Sequence, residues 1–376
     1  MKFYIVKSLI SPAVGLLAWA TVAVAQETVA QDTVAEQTRV QSNVPVHKSA
    51  VVNLPVNFLR LEPDYESPLE TQVLMGTEVE VLDRQGYWVK VRTPEPYEAW
   101  CTDLGLSFYS EKWMSDYRKT KKVIVTAVHS YIYDSNKENR LPVCPLVQGD
   151  IMRLIKNADS DGWMKVELPD ATSGYIREEN AVLLKEWAKK AKATPENLEQ
   201  TALQYLGTSY MWGGASVNGF DCSGLIRHTY FMNGVLLPRN ASQQIFCGEP
   251  VNTYETMAYP ENEKELNQYW KKRISKLKKG DLLFFGRIED GKKIVTHVGM
   301  YLENGKFIHA SHLVRISSFN PGTGNMYENA HKLIGAGRIV NEKGKILLKK
   351  AWDESAREKG YKAQYVTDSP MYNSKR

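Results

Sequence analysis

Residues 219–230 read GFDCSGLIRHTY. A carboxylate, a thiol, a hydroxyl and a glycine stand immediately before a run with helical spacing. Asp221 is a good N-cap, Leu225, Ile226 and Thr229 follow at three- and four-residue intervals, and Asn233-Gly234 is a stop signal. The stretch predicts a helix that begins at Cys222. A thiol in a first turn meets the positive end of the helix macrodipole and unpaired N–H groups, which favour thiolate. A cysteine on an amphipathic helix is by default a small buried hydrophobe, so a reactive Cys222 requires a base.

Seven histidines are available for that role. His47 and His129 lie far upstream. His228 is six residues past Cys222 on the same helix, about 240° round it, and cannot reach the sulfur. His331 sits in a polar stretch without a strand pattern. The segment THVGMYLENGKFIHASH, residues 296–312, reads as two strands flanking Glu303-Asn304-Gly305. Its register decides its chemistry. A two-residue loop at Asn304-Gly305 sends His297 and His309 to opposite faces. A three-residue loop, with Gly305 left-handed as a bulge, sets Gly299 opposite His309 and makes His297 its same-face diagonal neighbour, with His312 on the other face. The second arrangement is the expectation, with the two rings in hydrogen-bonding distance. His297 would then take the Cys222 proton, and His309 would accept the other ring N–H and fix the tautomer. The rival readings are a structural histidine pair and a zinc site. The usual close ligand pairs of zinc are absent, and no metal or other cofactor is expected.

Upstream, Thr194-Pro195-Glu196 opens another helix, with Leu198, Ala202, Leu203 and Leu206 on one apolar face. Before it lies an internal repeat: GTEVEVLDRQGYWVKVRTPEPYEAW from Gly76, and GDIMRLIKNADSDGWMKVELPDATSGYI from Gly149. Period-two apolar residues with turns every ~8–12 residues predict a small all-β barrel for each copy. At about 60 residues each unit is near the lower limit for independent folding and should pack on a neighbour.

The N-terminus has Lys2 and Lys7, an apolar stretch from Leu9 to Val24, and Ala23-Val24-Ala25 before Gln26. This reads as a cleaved signal peptide, followed by a polar leader with little to bury. No second long apolar run appears, so no integral membrane segment is expected after cleavage. The last residues, TDSPMYNSKR, look loose. Net charge is +5, from 48 basic and 43 acidic side chains, without the aromatic-basic pattern of a nucleic-acid binder. Four cysteines are too few for a disulfide scaffold in an exported chain. Spacing leaves a Cys101–Cys144 pair open, and Cys247 reads as a buried hydrophobe.

The run GTSYMWGGASVNGFDCSGLIRHTYFMNGVLLPRNASQQ, then LKKGDLLFFG, then THVGMYLENGKFIHAS, resembles the NlpC-type cell-wall cysteine peptidases, which have a papain-like core. The upstream repeat, with NFLRLEPDYESPLETQVLMG, resembles bacterial SH3-like domains. The implied fold is two small all-β SH3-like barrels followed by an α+β papain-like peptidase domain. The implied boundaries are a signal peptide at 1–25, a disordered leader at 26–47, SH3-like domains at 48–110 and 120–185, the peptidase domain at 195–345 and a polar tail at 351–376. The segment from Cys247 to Lys279 is long for the family core and reads as either a lid or a surface insertion.

The resemblance implies Cys222 as nucleophile, His297 as base, His309 as orienting group and Tyr210 as an oxyanion donor. The order of domains is similar to that of the γ-D-glutamyl-L-diamino acid endopeptidases, also called dipeptidyl-peptidase VI. These release L-Ala-γ-D-Glu from peptidoglycan-derived peptides with a free amino end, and the diamino acid is L-Lys or meso-diaminopimelate. The first SH3-like domain is then expected to close one end of the cleft, with Glu70 and Tyr97 contributing acidic and tyrosyl contacts. Asp221, Ser223, Trp212 and Ser242 complete the implied substrate contacts. Asp221 beside a thiolate is unfavourable unless a cation neutralises it, and the substrate's α-amine is the expected cation. Export to the periplasm or the exterior follows from the signal peptide. The alternatives are a non-catalytic wall-binding protein, against which the intact Cys222, His297, His309 and Tyr210 count, and acyl transfer or amidase action on another γ-linked amide.

Overall fold

A computed structural model describes residues 47–347, 361–369 and 371–372. The signal peptide and all but the last residue of the leader lie outside the described residues. Among those described, no helix is long and apolar enough to cross a membrane.

The two repeat copies fold as two antiparallel seven-stranded sheets. The first comprises β1 (Ser49–Val52), β2 (Val56–Arg60), β3 (Leu69–Leu74), β4 (Glu78–Gln85), β5 (Trp88–Arg92), β6 (Glu98–Thr102) and β7 (Leu106–Phe108). After helix α1 (Glu111–Lys119), the second comprises β8 (Lys122–Val125), β9 (His129–Tyr133), β10 (Pro142–Val147), β11 (Ile151–Lys156), β12 (Trp163–Glu167), β13 (Ser173–Arg177) and β14 (Ala181–Leu183). The strand orders are β3-β2-β6-β5-β4-β1-β7 and β10-β9-β13-β12-β11-β8-β14. Counting from the first strand of each copy, the two orders are identical, so the repeat visible in the letters is a repeat of topology. The sheets meet through equivalent turns: Ile151 N donates to Met75 O at 3.0 Å, and Met75 N donates to the buried Asp150 carboxylate at 3.2 Å. Cys101 and Cys144 are free thiols on different sheets, so the pairing left open by spacing is absent.

Helix α2 (Leu184–Lys190) leads to α3 (Pro195–Leu203), which is capped by Thr194 Oγ1 as expected. Its apolar face is shorter than predicted. Leu198 and Ala202 are buried, but the helix stops at Leu203 and leaves Leu206 on the surface. A short ribbon of β15 (Ala215–Ser216) and β16 (Gly219–Phe220) precedes α4 (Cys222–Met232). Helix α4 is buried on nearly every side rather than on one stripe. The reason is what surrounds it. Leu225 and Ile226 join the core with Val298, Met300 and Ile308, Arg227 pairs with Glu95 in the β5–β6 loop of the first repeat, and Phe231 lies beside the Gly149 turn of the second. Gly224 is forced by the loop that crosses the first turn, because a Cβ there would lie 2.0 Å from Gly214 O.

After β17 (Val235–Leu236), α5 (Ala241–Gln244), β18 (Glu249–Val251) and α6 (Glu263–Arg273) come β19 (Leu282–Glu289), β20 (Lys292–Glu303), β21 (Lys306–Ser311), β22 (Leu313–Ser318) and β23 (Leu333–Arg338). They form a six-stranded sheet ordered β18-β23-β19-β20-β21-β22. Alternation along these strands builds two cores. Leu282, Phe284, Val298 and Ile308 pack with α4, while Leu283, Phe285, Phe307 and Phe319 pack with Tyr269 and Trp270 of α6. The 247–279 segment thus supplies an edge strand and a covering helix with its own aromatic core. The tail is not loose where it is described. Strand β24 (Gln364–Tyr365) pairs with β17, and Tyr372 is buried with its ring 5.7 Å from that of Phe231.

Candidate active site

Asp221 caps α4 as its sequence position predicted, accepting from Gly224 N at 2.7 Å. This sets Cys222 in the first turn, 9% exposed. Helix α4 meets the six-stranded sheet at β20, and the backbone N–H groups of Val298, one residue past His297, and of Ser223 act on the thiol. Burial pushes the thiol up to about 11, with the Asp221 charge adding to the rise and those N–H groups and Arg239 opposing it. The helix position alone had argued for a lowered value; desolvation outweighs it.

The histidine hairpin reaches the expected pairing by another route. Asn304 and Gly305 both have positive φ, 53° and 77°, and Glu303 pairs with Lys306. This is the two-residue loop, which by itself would separate the histidines. The register then shifts between Tyr301 and Glu303, leaving Leu302 as an extra residue, and Tyr301 pairs with Phe307 and Met300 with Ile308. The bulge restores the face that the turn would lose. His297 Nε2 lies 2.8 Å from His309 Nδ1. His309, fully buried, places its own Nε2 2.9 Å from Ser317 Oγ on β22. Phe285, Phe307 and Tyr327 surround the pair, with the Tyr327 ring 4.9 Å from His309. Burial, then the Arg315 charge, lowers His297 to about 4, with Glu328 and Asp221 opposing; burial, then His297 and Arg315, lowers His309 to about 2.

Tyr210 is held by its N–H on His312 O at 2.9 Å and by a parallel bridge to Phe220. Burial, then the neighbouring Cys222 and Asp221, push its phenol up to about 12, so it stays a neutral donor. Trp212 is 69% exposed, and Ser242 is exposed on α5.

The partner of Asp221 corrects one expectation. Arg239, 2% exposed, bonds both carboxylate oxygens, one through Nη1 at 3.0 Å and one through Nη2 at 2.5 Å; Nη1 also reaches Ser223 Oγ at 2.9 Å. The cation that Asp221 needs is already in the protein, so no substrate amine is required to neutralise it. Burial works against the Arg239 charge, and Asp221 more than restores it. The Nε of Arg239 donates to Thr71 on β3 at 2.8 Å, and Gln72 Oε1 accepts from Ala215 N and Ser216 Oγ at 2.9 and 2.8 Å. Tyr97 donates to Glu70, and its phenol, raised to about 12 by burial and then Glu70, also senses Asn240 and Arg239. Glu70 forms no ion pair among the described residues. Arg239, Ser317 and Tyr327 went unread in the sequence. For Arg239 the signal was available: an arginine straight after the apolar run Val235–Leu237 and Pro238 needs a buried partner.

The profile of the NlpC/P60 family matches residues 207–332, and that of the bacterial SH3 domain matches 54–105. Dipeptidyl-peptidase 6 of Lysinibacillus sphaericus is 31% identical over 270 residues, covering 70% of this chain and 88% of that protein. The chain belongs to the NlpC/P60 family. The gamma-D-glutamyl-L-lysine dipeptidyl-peptidase of Bacillus cereus is 30% identical over 285 residues, covering 71% and 75%. An NlpC/P60 family protein from the same species, solved by crystallography, matches with a TM-score of 0.60 at 24% identity, covering 77% of this chain and 99% of that one. The fold is therefore an SH3-like region of β-sheet followed by an NlpC/P60 domain, and the protein is a hydrolase of the cysteine peptidase type that this family comprises.

Proposed function

We propose that this NlpC/P60 protein is a secreted cysteine peptidase that hydrolyses the γ-D-Glu–L-diamino acid bond of peptidoglycan stem peptides. It releases L-Ala-γ-D-Glu from peptides whose alanine amine is free. In this reading residues 1–25 are an export signal, the two seven-stranded sheets are SH3-like barrels at 48–110 and 120–185, and the first closes one end of the peptidase cleft.

The Ser317 hydroxyl can donate or accept, and the reaction selects one order for the histidine chain: Ser317 Oγ accepts from His309 Nε2–H, which leaves His309 Nδ1 as an acceptor. His297 must then donate through Nε2, so its Nδ1 is the free base. At neutral pH the raised thiol and the lowered imidazole are both uncharged. As Cys222 Sγ attacks the γ-carbonyl carbon, its proton passes to His297 Nδ1. The Cys222 N–H and the Tyr210 hydroxyl hold the developing oxyanion. Collapse breaks the C–N bond, and the leaving amine takes the proton from His297. Water, deprotonated by the same nitrogen, then cleaves the thioester and frees the dipeptide.

The observation that carries the dipeptidyl reading is Glu70. It is a carboxylate from the SH3-like region, bonded to Tyr97 beside the Arg239–Asp221–Ser223 network, and without a cation of its own among the described residues. A free α-amine supplies that cation, so the charge contact falls to Glu70 rather than to Asp221. The test compares L-Ala-γ-D-Glu-diamino acid peptides with and without N-acetylation. The acetylated peptide is expected to react on the order of a hundredfold more slowly. Comparable rates would reject the dipeptidyl reading and favour an endopeptidase of intact wall.

A further inference from the structure

Resting on that reading, the same chemistry identifies where the leaving fragment lies. The amine that departs takes its proton from His297, and the diamino acid is bonded to that nitrogen, so its side chain extends over the histidine side of the site. Tyr327 packs against both imidazoles on that side, with ring centroids 5.9 Å from His297 and 4.9 Å from His309. Its neighbour Glu328 faces Arg315, and Arg315 is the direct cross-strand partner of His309. Directly opposed residues of antiparallel strands project to one face, so the guanidinium shares the face of the histidine pair.

This ion pair is poorly satisfied within the protein. A single nitrogen, Nη2, contacts the two carboxylate oxygens at 3.4 and 3.5 Å, where a bidentate pair is normally near 2.8 Å. The Nε is buried with no hydrogen-bond partner among the described residues. The side chains are 34% and 58% exposed, so both heads can be reached from solvent. A loose, half-exposed pair of this kind contributes little to stability. Its geometry leaves a guanidinium edge and a carboxylate side by side, free to be bridged by a ligand that carries the complementary pair.

The two candidate diamino acids differ at this point. L-Lysine ends in one ammonium. Meso-diaminopimelate carries, on the same carbon, an ammonium and a carboxylate. We infer that Arg315 and Glu328 form the subsite for the end of the diamino acid side chain and select the zwitterionic end: Glu328 takes the ammonium common to both, and Arg315 takes the carboxylate that lysine lacks. The preferred substrate is then L-Ala-γ-D-Glu-meso-diaminopimelate.

Three peptides test this with the full-length mature protein: L-Ala-γ-D-Glu followed by meso-diaminopimelate, by meso-diaminopimelate amidated at its side-chain carboxylate, or by L-Lys. Wild type should cleave the first with kcat/KM roughly ten- to a hundredfold above the other two. In Arg315→Gln the ratio of the first to the third should fall to about one, and Arg315→Lys should keep part of it. Glu328→Gln should lower the rates on the first and third peptides together. The ratio is the readout because Arg315 also lowers His297, and that effect acts on every substrate alike. Equal rates for wild type on the first and third peptides, a preference for L-Lys, or an undiminished ratio in Arg315→Gln would overturn the subsite and leave the proposed reaction standing. Cleavage of none of the three would overturn the reaction itself.

Discussion

At the scale of single residues, the proposed nucleophile and base both rest uncharged, one as a thiol and one as an imidazole. The thiol at about 11 and His297 at about 4 mean that at pH 7 the proton sits on sulfur and the base is empty. In the proposed mechanism, thiolate forms by transfer during attack. Cys222→Ala should abolish hydrolysis while the melting temperature stays within a few degrees of wild type, since a 9% exposed thiol loses little volume; substantial residual activity would move the nucleophile elsewhere. The acid limb of kcat/KM should fall only as pH drops through about 4, where His297 takes a proton and ceases to be a base. A limb near 6.5 would mean an unshifted imidazole. In the proposed mechanism Ser317 is the positioning residue of the histidine chain. Ser317→Ala frees His309 to change tautomer, and it should lower kcat roughly tenfold with KM unchanged and shift the acid limb. Ser317→Thr, which keeps the hydroxyl, should restore both, whereas a purely structural role would leave the limb in place.

At the scale of elements, the hairpin was half legible. Asn-Gly between alternating apolar runs announced where the chain turns, and the need for two histidines on one face announced the register, but the loop expected to have three residues has two. The extra residue at Leu302 was not legible, because nothing in MYLENG marks which residue a strand will leave unpaired; that choice belongs to the packing of Leu302 into the α4 core while Tyr301 enters the other. Gly305 bears the turn, with φ 77° and Asn320 Oδ1 2.5 Å from where a Cβ would stand. Gly305→Ala should cost about 1–3 kcal/mol, read as a lower urea midpoint at unchanged slope. No loss of stability would mean that the turn relaxes into another type. The 247–279 segment was opaque for a related reason. Its lysines describe the outer face of α6, but its role lies in Tyr269 and Trp270. The Trp270 ring lies 4.7 Å from Phe319 and tilted to it, Phe319 lies 4.9 Å from Phe307, and Phe307 lies 5.0 Å from His309. That line of rings crosses nearly fifty residues of sequence and leaves no local pattern.

At the scale of the molecule, α4 is the common member. The first repeat reaches it through Glu95 and the Arg239 network, the second through the Gly149 turn, and the six-stranded sheet through β20. The sequence announced the two β repeats and their place ahead of the helix that carries Cys222, since each stretch has its own periodicity. It called for packing on a neighbour but did not announce through which residues, because contacts such as Arg239–Thr71 join residues whose separation no period records. At the centre of this junction sits His228, 2% exposed, with ring centroids of Tyr205 and Phe220 each 5.5 Å away and its Nε2 buried without a partner among the described residues. Burial, and then the Arg227 charge, lowers it to about 3. The unfolded chain binds this proton near 6.5 and the folded chain only near 3, so His228 is without effect on stability above about pH 6.5 and destabilises the fold progressively as pH falls through that window. At pH 5 the difference is about 2 kcal/mol. His228→Leu keeps the volume and removes the titration. It should unfold close to wild type at pH 8 and be more stable by about 2 kcal/mol at pH 5, measured by urea unfolding at both values. His297, His309 and the buried, upward-shifted Asp150 titrate in both proteins and cancel in the comparison. Equal stability of the two proteins at pH 5 would show that the junction opens or hydrates before His228 is protonated, and that acid sensitivity resides in the histidine pair of the active site instead.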